Sequence, residues 1–309
     1  MEPSRSIIDL PWGSVSYLHW SPPAEATTSP SVVVLLHGGN ADSASLSWGE
    51  LGGHLAATGH RVIAPDHPGF GESPRAPWTA TQDRLVTYVG EFVDALGLGE
   101  YAIGGLSLGG GLTIGHVLAR PERVTGAMLF GSYGLQDRLT DGWLSLPTQT
   151  LTWLALRTGL LGLAQEAYAR SPRLLASGMR QIVRSPDRLT EDLLAEITVA
   201  AGRKGARVAF EQWQRDQVLW NRTRTNYQDR LPDVAVPTLV VHGSRDSGVP
   251  LARAREAAAR IPDARLLVVD GAGHWVQRDR PDLVTPAVVR FLDTRGERDG
   301  GDGAAPAHP

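Results

Sequence analysis

The amino-acid sequence predicts an α/β protein with a mostly parallel open sheet and helices on both faces. Short β-branched runs alternate with longer segments of helical spacing, which is typical of the strand–helix units that build a parallel sheet. The alternation stops over residues 131–236, which have helical spacing and no clear buried strand. We therefore expect a core domain formed by residues 1–130 and 237–295, a helical lid at 131–236, and a disordered tail at 296–309.

The individual elements follow from the apolar spacing. A continuous apolar run such as residues 32–36 is typical of a strand covered on both faces. In residues 81–96, Leu85, Val89 and Phe92 fall on one face of a helix. The elements are expected in the order strand 14–20, strand 32–36, helix 51–57, strand 61–65, helix 81–96, strand 101–104, helix 108–119, strand 124–130, the lid, strand 238–242, helix 251–260, strand 265–269 and helix 281–292.

The composition limits which cellular compartment and which classes of binding partner we expect for this protein. The 309 residues are 42% hydrophobic, enough for a sizeable core, and their net charge of −3 gives no general case for nucleic-acid binding. The sequence has no cysteine, which excludes disulfides, cysteine-bound zinc and a thiol nucleophile. It has neither a signal-peptide pattern at its start nor an apolar run of the roughly 18 residues that cross a membrane. We expect a cytoplasmic protein with a small-molecule substrate, no membrane or nucleic-acid partner, no cofactor and no metal; the sequence predicts no oligomeric state.

A glycine-rich turn indicates a nucleophile. The pattern Gly105-x-Ser107-x-Gly109 lies between the apolar run 101–104 and the helical segment 108–119. A sharp strand-to-helix turn holds its central residue in a strained conformation, and glycine on both sides removes the Cβ atoms that would clash. The Ser107 hydroxyl would then stand at the start of a helix, where free backbone N–H groups and the helix dipole favour a developing oxyanion.

Two loop residues supply the base and the acid that a serine nucleophile needs. His274 lies in a glycine-bearing loop directly after the predicted strand 265–269, from which it can reach the serine hydroxyl. The imidazole in turn needs an acid that fixes its tautomer and balances its positive charge. We assign this role to Asp246, which follows the preceding strand. Asp270, nearer to His274 in the sequence, and Asp66 are the competitors.

The order serine, aspartate, histidine along the chain is the order found in α/β-hydrolases. On this order and on the glycine–serine pattern, residues from about 13 to 292 resemble the α/β-hydrolase superfamily, of the lid-bearing serine hydrolase type (AB hydrolase-1 type). The segment His-Gly-Gly at 37–39 matches the family's oxyanion-loop motif. The resemblance implies an oxyanion hole formed by the backbone N–H groups of Gly39 and Leu108, with His37 bracing the loop.

The type of nucleophile narrows the reaction. Epoxide hydrolases and haloalkane dehalogenases of this fold use aspartate, so Ser107 favours hydrolysis of carboxylic esters or of carbon–carbon bonds in vinylogous diketone acids. The Gly-His-Trp segment at 273–275 resembles the carbon–carbon hydrolases, and we expect Trp275 either to line the substrate pocket or to pack under its loop. Two positions depart from that subfamily. Leu106 stands where its members usually have asparagine, and Ile197 where they have the arginine that binds the substrate carboxylate.

The loop after Gly39 is a third departure, because it lacks the subfamily's asparagine near Trp48. Three lid arginines are the candidates to replace the missing arginine: Arg203, Arg207 and Arg215. We therefore rank hydrolysis of carboxylic esters of small apolar substrates first and carbon–carbon hydrolysis of meta-cleavage type second. Perhydrolysis by the same residues and a non-catalytic binding protein on the same fold stay open. A dinucleotide-binding loop is not indicated, because the glycines of residues 104–111 do not give G-x-G-x-x-G spacing.

The apolar residues of the lid have two possible roles. They can line an apolar acyl pocket, or they can pack the lid helices onto the core. The sequence does not separate these roles. The residues concerned are Leu144, Leu146, Leu151, Trp153, Leu154, Leu160, Leu161 and Leu163.

Overall fold

The computed structural model describes residues 1–23 and 31–299, and for residues 295–299 it describes the backbone alone. Within these residues, eight strands form one sheet: β1 Ser4–Leu10, β2 Gly13–Trp20, β3 Val32–Leu36, β4 Arg61–Pro65, β5 Tyr101–Leu106, β6 Val124–Phe130, β7 Thr238–Gly243 and β8 Ala264–Val269. Their spatial order is β1-β2-β4-β3-β5-β6-β7-β8. Strands β3 to β8 are parallel, whereas β1 and β2 run antiparallel at one edge. The predicted fold class is confirmed.

The helices lie between these strands in the sequence, except for the last two, which follow β8. They are α1 Ala44–Ala57, α2 Gln82–Ala95, α3 Leu108–Ala119, α4 Ser145–Thr158, α5 Leu160–Ala169, α6 Pro172–Ile182, α7 Glu191–Gly202, α8 Lys204–Gln217, α9 Leu251–Arg260, α10 Val276–Asp279 and α11 Pro281–Asp299. Three short 3₁₀ helices occupy Pro121–Arg123, Pro186–Arg188 and Gln228–Asp233. In the described part of the chain, none of the helices is long and apolar enough to cross a membrane.

The core has two halves, one on each face of the sheet. On one face, α1 and α11 bury apolar side chains such as Trp48 and Phe291 against the strands. On the other, α2, α3 and α9 do the same with side chains such as Phe92 and Leu112. Every residue of the central strand β5 is buried, as expected for a strand covered on both faces. This packing fixes the carboxyl edge of the sheet, from which the loops of the site project.

Two elements differ from the sequence prediction at the amino-terminal end. Strand β1 was not predicted, because most of its residues are exposed at the sheet edge and show no apolar alternation. Helix α1 begins seven residues before the predicted start at 51, because Ser43 caps it by accepting a hydrogen bond from the Leu46 N–H. The capped first turn compensates for the low helix propensity of Gly52 and Gly53 further along.

The five helices α4 to α8 are inserted between β6 and β7, within the residues 131–236 that we proposed as the lid. We keep the name lid for these residues. At the other end of the chain, α11 continues to Asp299, four residues into the segment expected to be disordered. The residues after 292 are mostly charged and show no apolar face that would predict a helix. They nevertheless continue α11, whose first turns are packed against the core. The rest of the predicted tail, 300–309, lies outside the described residues.

Candidate active site

Ser107 lies at the turn between β5 and α3, as the sequence predicts. Its backbone has φ 53° and ψ −114°, a conformation that costs a non-glycine residue about 1–3 kcal/mol. Two hydrogen bonds hold it: the Ser107 N–H donates to the Phe130 carbonyl at 2.9 Å, and its own carbonyl accepts from the Tyr133 N–H at 2.9 Å. The neighbouring strand thereby fixes a strained turn, which keeps Ser107 partly exposed at the carboxyl edge of the sheet.

The two glycines of the turn are required by close backbone contact. A Cβ on Gly105 would collide with the Gly109 carbonyl, and a Cβ on Gly109 would collide with the carbonyl oxygens of Leu36 and His37 at the end of β3. The atoms that would be struck are backbone and cannot rotate away. Helix α3 therefore approaches β3 closely only because position 109 has no side chain.

We expect Gly109→Ala to destabilise the protein by about 3 kcal/mol, because α3 must move away from β3. The matched control is Gly49→Ala in α1, where an added Cβ meets no atom within 4 Å. Alanine there should raise the free energy of unfolding by about 0.5–1 kcal/mol. Urea unfolding of both variants measures the difference. Equal stability of the two variants would contradict the tight approach of α3 to β3.

His274 and Asp246 meet at the carboxyl ends of β8 and β7. Nδ1 of His274 lies 2.8 Å from Oδ2 and 3.0 Å from Oδ1 of Asp246. The carboxylate is almost fully buried, with 1% of its side chain exposed, and the imidazole is 10% exposed. Ser107 and His274 line the same cavity. The structure thus brings together all three residues that the sequence nominated, and we retain their catalytic roles as a proposal.

The surroundings of Asp246 keep it ionised and fixed in orientation. Oδ1 accepts hydrogen bonds from the backbone N–H groups of Gly248 at 2.7 Å and Val249 at 3.0 Å. Burial opposes ionisation of the carboxyl group. The charge and hydrogen bond of His274, the nearby His242 and the Val249 N–H outweigh it and hold the pKa of Asp246 below its ordinary value. Oδ2 is left to face His274. A carboxylate held in this way accepts the Nδ1 proton and leaves Nε2 of His274 free to act as a base.

A second imidazole contacts the same carboxylate. Nε2 of His242 lies 3.5 Å from Oδ2 of Asp246 and 2.9 Å from the Val249 carbonyl, to which it donates. Burial lowers the pKa of His242, although Asp246 acts in the opposite direction. His242 is therefore a neutral donor packed behind the acid and does not compete with His274 for its charge. Sequence reasoning placed His242 at the strand end and missed this contact.

The two competing aspartates are engaged elsewhere. Asp270 is exposed and its Oδ1 accepts from the Ser244 hydroxyl at 2.9 Å. Asp66 is buried and paired with Arg5 at 2.6 Å, and it also accepts from the Ala44 N–H. Both carboxylates hold loops together, and neither contacts His274 in the structure.

The loop after β3 has the form that an oxyanion hole requires. His37 is fully buried, and burial lowers its pKa to about 3, so it is neutral. Its Nε2 accepts from the His67 N–H at 2.9 Å, which leaves Nδ1 to donate to the Gly38 carbonyl at 2.7 Å. Leu108 is the first residue of α3, so its N–H has no partner within the helix. No acceptor for the Gly39 N–H is found among the described residues, and we propose Gly39 and Leu108 as the oxyanion donors.

Asp42 is a residue that sequence reasoning missed. Its buried carboxylate accepts from the Gly38 N–H at 2.7 Å, the Ser43 N–H at 2.7 Å and the Ser47 hydroxyl at 2.7 Å. Burial raises the pKa of Asp42 to about 6. The carboxylate ties the oxyanion loop to the start of α1, and it was not predicted because nothing in the local sequence shows that the side chain turns back to Gly38.

The site opens into a cavity of about 330 Å³ between the sheet edge and the lid. Trp275 lines this cavity and is a buried core residue, 6% exposed; its contact with a substrate stays a prediction. Two aromatic side chains from α8 form a wall. Phe210 stacks on Trp213 with ring centroids 5.6 Å apart, and Phe210 packs against the position where Gly39 lacks a Cβ. Sequence reasoning did not name this pair; their spacing of three residues on one helix is the signal that could have found it.

Most of the lid leucines named from the sequence neither line the cavity nor pack onto the core. On the lid side, the cavity is instead lined by residues of α6 and α8 and of the loop before α4. They are Met179, Ile182, Phe210, Trp213, Gln214, Tyr133, Gln136 and Leu139. Helices α4 and α5 turn part of their apolar surface to solvent, because an apolar run does not specify which face of a helix meets the core. The exposed residues are Leu144, Leu146, Leu151, Leu154, Leu160 and Leu163.

Neither a metal nor a cofactor was expected. In the described ranges, no three side chains among histidine, aspartate and glutamate are grouped so that they could hold a metal ion. The side chains and backbone of the site provide a serine hydroxyl, an imidazole, a carboxylate and free N–H groups.

Comparison with known proteins adds to this geometry. Residues 31–281 match the sequence model of the alpha/beta hydrolase fold family. The chain is 32% identical over 271 residues to the 2-hydroxymuconate semialdehyde hydrolase of Pseudomonas putida, covering 84% of this chain and 86% of that protein. It is 29% identical over 269 residues to the 2-hydroxy-6-oxo-6-(2'-aminophenyl)hexa-2,4-dienoic acid hydrolase of Metapseudomonas resinovorans, covering 86% and 85%. A solved serine hydrolase from the polyaromatic hydrocarbon-degrading bacterium Cycloclasticus zankles superposes with a TM-score of 0.75 at 25% identity, covering 94% of this chain and 98% of the other.

Proposed function

This chain belongs to the α/β-hydrolase fold family as a serine hydrolase, and we propose that it hydrolyses a carbon–carbon bond next to a ketone through an acyl-enzyme on Ser107. The observation that carries this proposal is the similarity, over more than four fifths of the chain, to hydrolases of 6-oxo dienoic acids and of a muconate semialdehyde. The sequence by itself ranked ester hydrolysis first, and these relatives reverse that order.

The proposed reaction uses the side chains already described. His274 takes the proton of Ser107 as Oγ attacks the ketone carbonyl, and the oxyanion accepts hydrogen bonds from Gly39 and Leu108, each worth about 3 kcal/mol in the transition state. The carbon–carbon bond then breaks, and its electron pair leaves with the departing carbon as an enolate, delocalised onto a second carbonyl of the substrate. The imidazolium of His274 protonates this enolate. Water, deprotonated by His274, attacks the acyl-enzyme and releases a carboxylic acid and free Ser107. Asp246 stabilises the imidazolium in both halves of the cycle.

Ester hydrolysis is the second candidate, and one observation favours it. Among the described residues that line the cavity, none is aspartate, glutamate, lysine or arginine, so an uncharged ester fits without an unpaired charge. The chemical steps are the same except that an alkoxide leaves in place of an enolate. A non-catalytic binder would need neither the His274–Asp246 pair nor Ser107 in the same cavity as His274, and we rank it last.

The test is a panel of three substrates with the purified protein. It contains 1-phenylbutane-1,3-dione, 2-hydroxy-6-oxo-6-phenylhexa-2,4-dienoate and p-nitrophenyl butyrate, each followed by absorbance and by identification of the acids released. We expect kcat/KM for one of the two diketone-type substrates to exceed that for the ester at least tenfold. Turnover of the ester alone would reject carbon–carbon cleavage in favour of the second candidate, and turnover of none would reject both.

A further inference from the structure

The substrate cavity carries no charge that could hold an anionic substrate. The titratable side chains among its described lining residues are His274 and Tyr133. His274 is already paired with Asp246, and burial raises the pKa of Tyr133, which keeps the phenol neutral. A carboxylate transferred from water into such a site would lose its hydration without gaining a counter-charge, at a cost of several kcal/mol.

The positions from which a cation was expected do not supply one. Ile197 is fully buried in the core and does not line the cavity. The three lid arginines named as replacements are paired with acids outside it: Arg203 with Glu72, Arg207 with Glu166, and Arg215 with Glu211. None of these arginines lines the cavity. The cavity therefore differs in charge from one built for a dienoate.

Gln136 supplies a neutral polar group in the same cavity. It lines the cavity and is 5% exposed, and its side-chain Oε1 has no hydrogen-bond partner among the described residues. Its Nε2 donates to the Leu139 carbonyl at 3.4 Å, which assigns the oxygen to the free position. A buried acceptor without a partner costs about 1–3 kcal/mol, and a ligand with a hydroxyl or N–H group removes that cost.

We propose that this site takes an uncharged substrate and that Gln136 is a specificity residue, accepting a hydrogen bond from a hydroxyl or N–H group on the part of the substrate remote from the scissile bond. The inference rests on the proposed function, because it concerns the acyl pocket of the same site. Gln136 takes no part in bond breaking. It selects among ketones or esters because its oxygen accepts a hydrogen bond from a neutral donor. A carboxylate in the same place would bring only acceptor oxygens and an unpaired charge.

The backbone of this loop does not depend on the glutamine side chain. The Thr223 hydroxyl donates to the Gln136 carbonyl at 2.7 Å, and the Thr223 N–H donates to the Asp137 carbonyl at 2.6 Å. We therefore expect Gln136→Leu to fold. The matched control is Gln214→Leu, which removes a second glutamine of the cavity lining whose Oε1 already accepts from Gln165 at 3.1 Å.

The experiment measures binding, so that it does not depend on turnover. Calorimetry with Ser107→Ala protein would give Kd values for three acetophenones that share the acetyl end and differ at the para position: hydroxymethyl, ethyl and carboxylate. We expect the hydroxymethyl compound to bind about tenfold more tightly than the ethyl compound, as one hydrogen bond provides. The carboxylate should bind at least about 100-fold more weakly than the hydroxymethyl compound.

Adding Gln136→Leu to the Ser107→Ala protein should reduce the hydroxymethyl preference to about onefold, while Gln214→Leu should leave it near tenfold. Carboxylate binding as tight as that of the alcohol would overturn the uncharged-substrate inference. A hydroxymethyl preference that survives Gln136→Leu would overturn the assignment to Gln136. This is the result expected if water, and not the substrate, donates to the Gln136 oxygen. Failure of the proposed function is seen separately in the substrate panel, where the wild-type protein would then turn over the ester alone or no substrate, whatever these binding constants are.

Discussion

Replacing Ser107 by alanine is expected to lower kcat on the order of 10⁶-fold, the effect of removing the nucleophile from a serine–histidine–aspartate set. Alanine keeps the Cβ and removes only the hydroxyl, so the turn and its backbone hydrogen bonds to Phe130 and Tyr133 stay as they are. The strain at φ 53° is the same for both residues. We therefore expect the free energy of unfolding to change by less than about 0.5 kcal/mol. The measurement is kcat with the best substrate of the panel, together with urea unfolding.

A neighbouring serine provides the control. Ser132 is buried just after β6, next to Gly110 at the start of α3, and its hydroxyl has no hydrogen-bond partner among the described residues. Ser132→Ala should leave kcat within about twofold of wild type. Mass spectrometry after mixing with a slowly hydrolysed ester should show an acyl adduct on the wild type and on Ser132→Ala, and none on Ser107→Ala. An adduct on Ser107→Ala would show that another residue is the nucleophile.

The three residues that we propose to carry the reaction could be predicted because each has a local signature. Ser107 has its glycines and the strand-to-helix context, and His274 and Asp246 each follow a predicted strand in the expected order along the chain. A parallel sheet brings the carboxyl ends of its strands to one edge, so residues far apart in sequence meet there. The structure places Nδ1 of His274 within 2.8 Å of Asp246 accordingly.

The residues that shape the site have no such signature. The side chain of Asp42 points back along the chain to accept a hydrogen bond from the Gly38 N–H. Gln136 lies in a loop that Thr223, from another part of the chain, holds by a hydrogen bond. The lid gave the largest error, since Leu151 and Leu163 are 66% and 65% exposed although their sequence context is as apolar as that of Leu156, which is buried. Helical spacing identifies an apolar face, but the tertiary fold decides what that face contacts.

Replacing Asp246 by asparagine is expected to lower kcat about 10⁴-fold, because the substitution reverses the tautomer of His274. The backbone N–H groups of Gly248 and Val249 both point at Oδ1, at 2.7 and 3.0 Å. An asparagine must keep its oxygen there, so its NH₂ group takes the place of Oδ2 and faces Nδ1 of His274. Oδ1 also lies within 3.0 Å of Nδ1, but the group at the nearer Oδ2 position, 2.8 Å away, is then an NH₂ that can only donate. We therefore expect Nδ1 to accept and the imidazole proton to move to Nε2. An imidazole protonated on Nε2 cannot take the proton of Ser107.

The matched control is Asp270→Asn, which makes the same chemical change in the aspartate that is nearer to His274 in sequence. Asp270 is exposed, and its carboxylate accepts from the Ser244 hydroxyl and not from His274, so kcat should stay within about twofold of wild type. Steady-state kinetics on both variants decides between the two carboxylates. A large loss for Asp270→Asn with little loss for Asp246→Asn would reject the assignment of the acid. Because the asparagine in Asp246→Asn would retain both backbone hydrogen bonds to its oxygen, a loss of activity without a loss of fold would assign the effect to the proton on His274 and not to the position of its ring.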